Sequence, residues 1–237
     1  MNATVLEARR VVKSYKRGPE KVVALDEADL ALTPGELVAL LGPSGSGKTT
    51  LLNILAGWER SDSGELRWQG HTGQDLGRLP WRSLAVVPQR LGLLEELSVR
   101  ENVELPLRLE GSLDAAGSGR ASELLEWLRL DHLADRPPGE TSLGEQQRAA
   151  LARAVLPVPA VLLADEPAGH QDRVSSELVL RTLRAAARQG SACLVATHNP
   201  DSLVFCDRSV EMRDGRVVAA DSAALGAHSA EESKSSR

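Results

Sequence analysis

Along most of this chain, short apolar runs alternate with segments in which apolar residues recur at helical spacing. Consecutive apolar residues, typical of strands buried on both faces, occur at 37–41, 83–87, 161–164 and 192–196. Helical patterns are predicted at 50–56, 121–134, 146–155 and 173–189. This alternation predicts an α/β fold with a mostly parallel sheet covered by helices. We expect its functional loops to gather at the carboxyl ends of the strands.

Two kinds of segment depart from that alternation: short strands without intervening helices, and a leucine-rich helical stretch. Before residue 40, short strands are predicted at 5–12, 22–25 and 29–32, with turn residues at 16–20 between the first two. Later strands are predicted at 65–68, 209–212 and 216–219, the last two forming a hairpin across Asp214-Gly215. Between residues 90 and 155 leucine dominates and helical spacing appears, with a flexible connection expected at 110–120.

These changes of pattern predict a division of the chain. Residues 1–88 and 156–221 are expected to form a core with a β subdomain, and residues 89–155 an α-helical subdomain. Residues 222–237 are rich in alanine, serine and glutamate, and we expect them to be a disordered tail.

One strand–loop–helix stretch carries the first chemical signal. Residues 42–49 fit the pattern G-x-x-x-x-G-K-[ST] at every fixed position. Glycines let backbone N–H groups point inward around a phosphate, and the following helix start adds partial positive charge. Lys48 is expected to reach the β- and γ-phosphates, and the Thr49 hydroxyl to bind Mg²⁺. The alternative is a turn that binds nothing, but the lysine, the threonine and both flanking elements favour a nucleoside triphosphate.

The predicted nucleotide-binding residues of this stretch are Gly42, Pro43, Ser44, Gly45, Ser46, Gly47, Lys48, Thr49 and Thr50.

Polar side chains also follow three other predicted strands. Asp165 fits an Mg²⁺ ligand, and Glu166 fits a general base that polarises the attacking water, the alternative being a solvated strand end. Gln89 is a candidate for binding the metal or that water, and His198 for sensing the γ-phosphate. Each alone is compatible with an ordinary surface or structural residue. Their convergence at one sheet edge favours the functional interpretation.

Two weaker signals lie elsewhere. Tyr15 is the only tyrosine of the chain, and its position before the loop is compatible with stacking on adenine or with no role. Ser142 and Glu145 form an S-x-x-E capping box before the helix at 146–155. The simple interpretation is a well-capped helix, and the sharper one is a second anion site at its N-terminus.

Composition narrows the function classes. The chain has 237 residues and a formal net charge of −5, which argues against a protein that coats nucleic acid. No apolar run approaches the roughly 18 residues that span a bilayer, and no signal-peptide layout begins the chain. Any membrane role is therefore expected to come from a partner chain. Cys193 and Cys206 lack metal-site spacing and are expected to be buried, reduced thiols.

From about residue 5 to residue 220, the ordered set of motifs closely resembles the ATP-binding subunit of an ABC transporter. In that family's terms, residues 42–49 are the Walker A loop and residues 161–165 the Walker B strand. The remaining correspondences are Glu166 as catalytic glutamate, Gln89 as Q-loop, His198 as switch histidine, Tyr15 as adenine-stacking aromatic, Ser142, Gly144 and Glu145 as signature, and Asp172 as D-loop aspartate. The phrases at 42–47, 51–57 and 100–107 look most like the macrolide-export, lipoprotein-release and cell-division branch.

The resemblance implies a P-loop NTPase core with an N-terminal antiparallel β subdomain and an α-helical subdomain. It implies an ATPase using ATP and Mg²⁺, with Thr49, Gln89 and Asp165 as metal ligands. A second ATP-binding subunit would close head to tail over the nucleotide, as a homodimer or a heterodimer. Transmembrane permease subunits, contacted through residues 89–106, would hold the chain at the cytoplasmic face of the cell membrane. No nucleic acid is expected as a partner.

Two positions depart from the family pattern. Leu143 replaces a signature glycine, and Gln171 stands where the family prefers leucine in the D-loop. If position 143 needs a positive φ, a leucine there costs on the order of 1 kcal/mol. Either the composite ATP site is weakened, or the chain pairs with a non-identical subunit. Two other functions stay open: regulation of a membrane-linked extracytoplasmic machine, and a soluble ABC ATPase that acts on DNA or ribosomes.

Overall fold

The computed structural model describes residues 4–169 and 171–219. In chain order, the strands are β1 (Leu6–Arg17), β2 (Glu20–Leu32), β3 (Leu37–Leu41), β4 (Ser63–Trp68), β5 (His71–Thr72), β6 (Leu84–Val87), β7 (Val161–Asp165), β8 (Ala192–Thr197), β9 (Arg208–Arg213) and β10 (Arg216–Ala219). The α-helices are α1 (Lys48–Leu55), α2 (Val99–Leu109), α3 (Ala115–Trp127), α4 (Leu143–Val155) and α5 (Arg173–Arg188). Short 3₁₀ turns lie at Leu76–Arg78, Asp131–Leu133, Pro138–Glu140 and Pro200–Phe205.

The strands form two sheets. The smaller sheet is antiparallel in the order β2-β1-β4-β5, and the larger has the order β10-β9-β3-β8-β7-β6. In the larger sheet every pairing is parallel except that of β9 with β10. This arrangement confirms the predicted fold class, with an N-terminal antiparallel sheet beside a mostly parallel, helix-covered one.

The core lies on both faces of the larger sheet. In β3, Leu37 and Ala39 pack into the apolar cluster formed with helices α2 to α5. Val38 and Leu40 point the other way, into a second cluster shared with α1 and the smaller sheet. Successive side chains of a strand point to opposite faces, so a strand covered on both sides is apolar at every position.

Strand β2 corrects one expectation. The sequence predicts two short strands at 22–25 and 29–32, whereas the structure has one continuous strand. Its pairing with β1 shifts register between Lys13 and Val11, and Glu27 adopts a positive φ of 50°. A β-bulge of this kind absorbs an extra residue without ending the strand.

Helix α3 corrects a second expectation. The sequence predicts a flexible connection at 110–120 and a helix at 121–134, but α3 begins at Ala115 and ends at Trp127. Asp114 caps it by accepting a hydrogen bond from the Gly117 N–H at 2.7 Å. Arg129, with a φ of 57°, then breaks the helical path, although Leu130 is fully buried in the core.

The other predicted helices and strands are present near their predicted bounds, and the hairpin turns at Asp214-Gly215. Cys193 and Cys206 are free and buried, and burial raises the pKa of both thiols to about 12. Within the ranges 4–169 and 171–219, no helix is long and apolar enough to cross a membrane. The division at residues 88/89 and 155/156 stays a prediction, and the predicted tail at 222–237 lies outside the described residues.

Candidate nucleotide site

The loop between β3 and α1 requires glycine where the chain packs most tightly. Gly47 has a φ of 108°, and a Cβ placed on it would lie 2.4 Å from the carbonyl oxygen of Ala24 in β2. Only glycine fits both the backbone conformation and this close approach. The smaller sheet therefore fixes the loop immediately before the helix that follows it.

The side chain of Lys48 folds back onto this loop and binds its backbone. This side chain is buried, and Nζ donates hydrogen bonds to the carbonyl oxygens of Gly42, at 2.8 Å, and Pro43, at 3.1 Å. Ser46 Oγ is also buried and has no hydrogen-bond partner among the described residues. A buried cation and an unpaired hydroxyl beside an exposed Pro43–Gly45 segment fit a phosphate group.

The end of β7 meets the start of α1. Thr49 Oγ1 donates a hydrogen bond to Asp165 Oδ2 at 2.7 Å, across 116 residues of sequence. Asp165 is only 6% exposed, and its burial, followed by the nearby charge of Glu166, raises the pKa of its carboxyl group. A carboxylate and a hydroxyl oxygen side by side are suitable ligands for Mg²⁺.

Glu166 and His198 directly follow two adjacent parallel strands, β7 and β8. His198 Nδ1 lies 2.9 Å from Glu166 Oε1, within hydrogen-bond distance. Glu166 has a φ of 49°, and its N–H donates to the carbonyl oxygen of Ala196 in β8 at 2.9 Å. The backbone bond to β8 and the contact with His198 together orient the carboxylate of Glu166.

Gln89 and Tyr15 lie at the margins of this group. Gln89 is exposed, two residues beyond the end of β6, which pairs with β7. Tyr15 lies on β1 with 39% of its surface exposed, and its Oη donates to Glu59 Oε2 at 2.7 Å. Lys13 Nζ lies 5.5 Å from the centre of the Tyr15 ring. Burial and the hydrogen bond to Glu59 raise the pKa of Tyr15. The roles predicted for both residues stay predictions.

The capping box at the start of α4 is confirmed. The Ser142 N–H donates to Glu145 Oε2 at 2.7 Å, and the Glu145 N–H donates to Ser142 Oγ at 3.4 Å. The hydrogen bond from the Ser142 backbone is the main cause that lowers the pKa of Glu145. Asp172 makes the equivalent cap on α5, since its Oδ1 accepts from the Ser175 N–H at 2.9 Å.

Leu143 is not strained. It is the first residue of α4, with helical rather than left-handed backbone, so the suggested cost of a positive φ does not arise. Its side chain is 53% exposed. Leu143 therefore fits the helix start without strain and leaves an apolar side chain exposed there.

Two buried polar residues on α4 were not predicted to be functional. Gln147 is buried and accepts a hydrogen bond from Gln171. Arg153 is 5% exposed and donates to the carbonyl oxygens of Leu91 and Gly92, at 2.6 and 2.7 Å, just beyond Gln89. Burial lowers the pKa of Arg153. Both residues lie on the helix face that otherwise carries alanine and leucine. In the sequence, a polar residue on such an apolar face could have indicated a special role.

The family model described as ABC transporter matches residues 25–169, more than half of the chain. The chain belongs to the ABC transporter family. The lipoprotein-releasing system ATP-binding protein LolD of Granulibacter bethesdensis is 43% identical over 91% of this chain and 96% of its own length. The macrolide export ATP-binding/permease protein MacB of Photorhabdus laumondii is 37% identical over 92% of this chain, which covers 34% of that longer protein.

Solved structures agree with the sequence relatives. The dimeric ATP-binding cassette MJ0796, in a post-hydrolysis state with ADP and Pi, superposes with a TM-score of 0.82 and is 32% identical. The match covers 90% of this cassette and 96% of that chain. The chain is thus an ATP-binding subunit and an ATPase of the ABC family, in the predicted branch.

Proposed function

We propose that this ATPase serves a lipoprotein-releasing system, in which it drives a separate transmembrane permease from the cytoplasmic face of the membrane. Sequence similarity supports this proposal: the chain is similar to the LolD proteins of Granulibacter bethesdensis, Rhodospirillum rubrum and Paramagnetospirillum magneticum. These relatives are 41 to 43% identical to this chain, which covers 96 to 100% of their length.

In this proposal, Lys48 and the loop N–H groups hold the β- and γ-phosphates, and Tyr15 stacks on adenine. Thr49, Asp165 and Gln89 hold Mg²⁺, which neutralises charge on the phosphate oxygens when bound. Glu166 accepts the proton of the attacking water, and His198 keeps its carboxylate in place.

The second subunit completes the site. Ser142, Gly144 and Glu145 at the start of α4 face the nucleotide bound by the partner, together with Asp172. Closure of the two subunits is transmitted to the permease through residues 89–106. The exposed side chain of Leu143 lies at the same helix start and enters the subunit interface.

The role in a lipoprotein-releasing system rests on the similarity to LolD proteins, and the observation that carries ATP hydrolysis is the contact of Glu166 with His198 beside the Thr49–Asp165 pair. The test is purification of a tagged Glu166→Gln variant from membranes, with and without MgATP, followed by size measurement. We expect MgATP to produce a dimer of ATP-binding subunits that retains a multi-spanning membrane protein. Retention of ribosomes or nucleic acid without a membrane protein would contradict the proposal. A partner that binds a cell-wall enzyme would favour regulation over release.

A further inference from the structure

The segment that follows β7 is held at each of its first three carbonyl groups. The carbonyl oxygen of Glu166 accepts from the Gly169 N–H at 3.0 Å, which closes a turn directly after the carboxylate. The carbonyl oxygen of Ala168 accepts from Ser176 Oγ on α5 at 3.2 Å. The carbonyl oxygen between them, that of Pro167, is bound by a side chain that also reaches α4.

That side chain is Gln171. Its Nε2 donates to the carbonyl oxygen of Pro167 at 3.2 Å and to Gln147 Oε1 on α4 at 3.0 Å. The carbonyl oxygen of Pro167 can only accept, so the Gln171 atom beside it must be the amide nitrogen, and the facing Gln147 atom must be oxygen. One amide group therefore links the residue after Glu166 to the helix that starts with the signature residues.

Gln171 also lies close to α4 one helical turn earlier, at Gly144. A Cβ placed on Gly144 would meet Gln171 Cγ at 3.5 Å, an ordinary van der Waals distance. Positions 144 and 147 are three residues apart and share one face of the helix. The stem of Gln171 thus lies beside the first turn of α4, and its amide binds Gln147 in the next turn.

This link does not look optimised for stability. Gln171 Oε1 is buried and has no hydrogen-bond partner among the described residues, which opposes folding. The leucine that the family prefers at this position has no such group, and it cannot donate to Pro167 or to Gln147. The amide here adds a directed connection and leaves one acceptor unpaired.

We propose that Gln171 is a positioning residue that makes Glu166 and the start of α4 move as one unit. This inference rests on the proposed function, because it requires Glu166 to act in hydrolysis and α4 to face the partner's nucleotide. When the partner docks on α4, the two hydrogen bonds of Gln171 transmit the displacement to Pro167, next to the carboxylate.

The test is a double-mutant cycle with Gln171→Met and Gln147→Met. Methionine keeps the unbranched side chain and removes the amide. We expect each single variant to lower kcat for ATP hydrolysis about fivefold with KM for ATP little changed, because binding is untouched. The double variant should lose no more than either single variant, since both remove the same link. The thermal midpoint of Gln171→Met should change little, because the substitution removes one unpaired acceptor, Gln171 Oε1, but takes the donor from Gln147 and Pro167.

Two matched variants sharpen this test. Gln147→Glu keeps an acceptor oxygen facing Gln171 and should retain most of the activity that Gln147→Met loses. Gln189→Met makes the same chemical change at an exposed position after α5 and should leave kcat unchanged.

Losses that add in the double variant, unchanged kcat, or a fall in the thermal midpoint that accounts for the lost activity would overturn the inference. Failure of the proposed function looks different. There Glu166→Gln would retain hydrolysis, whereas failure of this inference alone leaves Glu166→Gln inactive and Gln171→Met fully active.

Discussion

The phosphate-binding loop and the start of α4 are both proposed to bind a nucleotide, but their contacts within the chain differ. Around the loop, the long-range contacts are made within the chain: Gly47 against Ala24, and Thr49 with Asp165. At the start of α4, Ser142 and Glu145 bond mainly to each other, and Leu143 is exposed. The first site is built by long-range contacts within one subunit, while the second is the exposed helix start at which we propose that another subunit docks.

This comparison predicts where substitutions act. Changes around the loop should impair ATP binding or hydrolysis by an isolated subunit, whereas changes at the start of α4 should alter hydrolysis mainly when two subunits meet. The four variants below test this contrast, from the largest expected effect to the smallest.

Glu166→Gln should lower ATP hydrolysis by about 10²- to 10⁴-fold, the usual contribution of a general base. The amide keeps the size of the side chain and its contact distance to His198 but cannot accept the proton. Phosphate release measures the loss, and binding of a fluorescent ATP analogue should be retained. Hydrolysis within a few fold of wild type would remove Glu166 from the proposed role.

Gly47→Ala should prevent ATP binding and destabilise the fold. A left-handed backbone alone costs an alanine about 1–2 kcal/mol, and we expect a larger loss here. The added Cβ would lie 2.4 Å from the carbonyl oxygen of Ala24, which cannot move without shifting β2. The matched variant is Gly45→Ala, because Gly45 has a φ of 80° and open space around a Cβ. Equal free energies of unfolding for the two variants, measured in urea, would refute the packing argument.

Leu143→Ala should leave ATP binding by the single subunit unchanged and raise hydrolysis by the dimer about threefold, which is under 1 kcal/mol. The side chain is exposed in the subunit, so only docking of a partner is expected to sense it. Alanine preserves the helix start better than glycine does. The measurement is specific activity against protein concentration, and activity that is unchanged at every concentration contradicts a limiting role for Leu143.

Glu145→Gln should cost about 0.5 kcal/mol at neutral pH, because it removes a negative charge from the first turn of α4. The folded pKa of Glu145 is lowered by the Ser142 N–H, so its stabilisation is present above the unfolded pKa. The difference from wild type should shrink as pH falls below about 4 and through the folded pKa. Urea unfolding at several pH values measures it, and a difference that grows in acid would reverse the assigned sign.

The sequence alone determined which residues form the functional motifs and the order of those motifs along the chain. The phosphate-binding loop, the capping box of Ser142 and Glu145, and the residues at the ends of β7 and β8 were all predictable. Each depends on neighbours in sequence: a fixed spacing, a helix start, or an apolar run with a polar end. Local patterns of this kind also gave the parallel, helix-covered sheet.

Tertiary structure decided what those residues touch. Sequence could not predict that a bulge at Glu27 makes β2 continuous, or that Arg129 ends the path of α3 early. Thr49 and Asp165, 116 residues apart, were expected to share a metal ion, but their direct hydrogen bond was not predicted. Nor was the bond between Gln171 and Gln147, which lie 24 residues apart. Such contacts form only when helices and strands pack together to bury apolar surface. Packing brings together residues that are far apart in sequence, and local residue spacing does not encode these contacts.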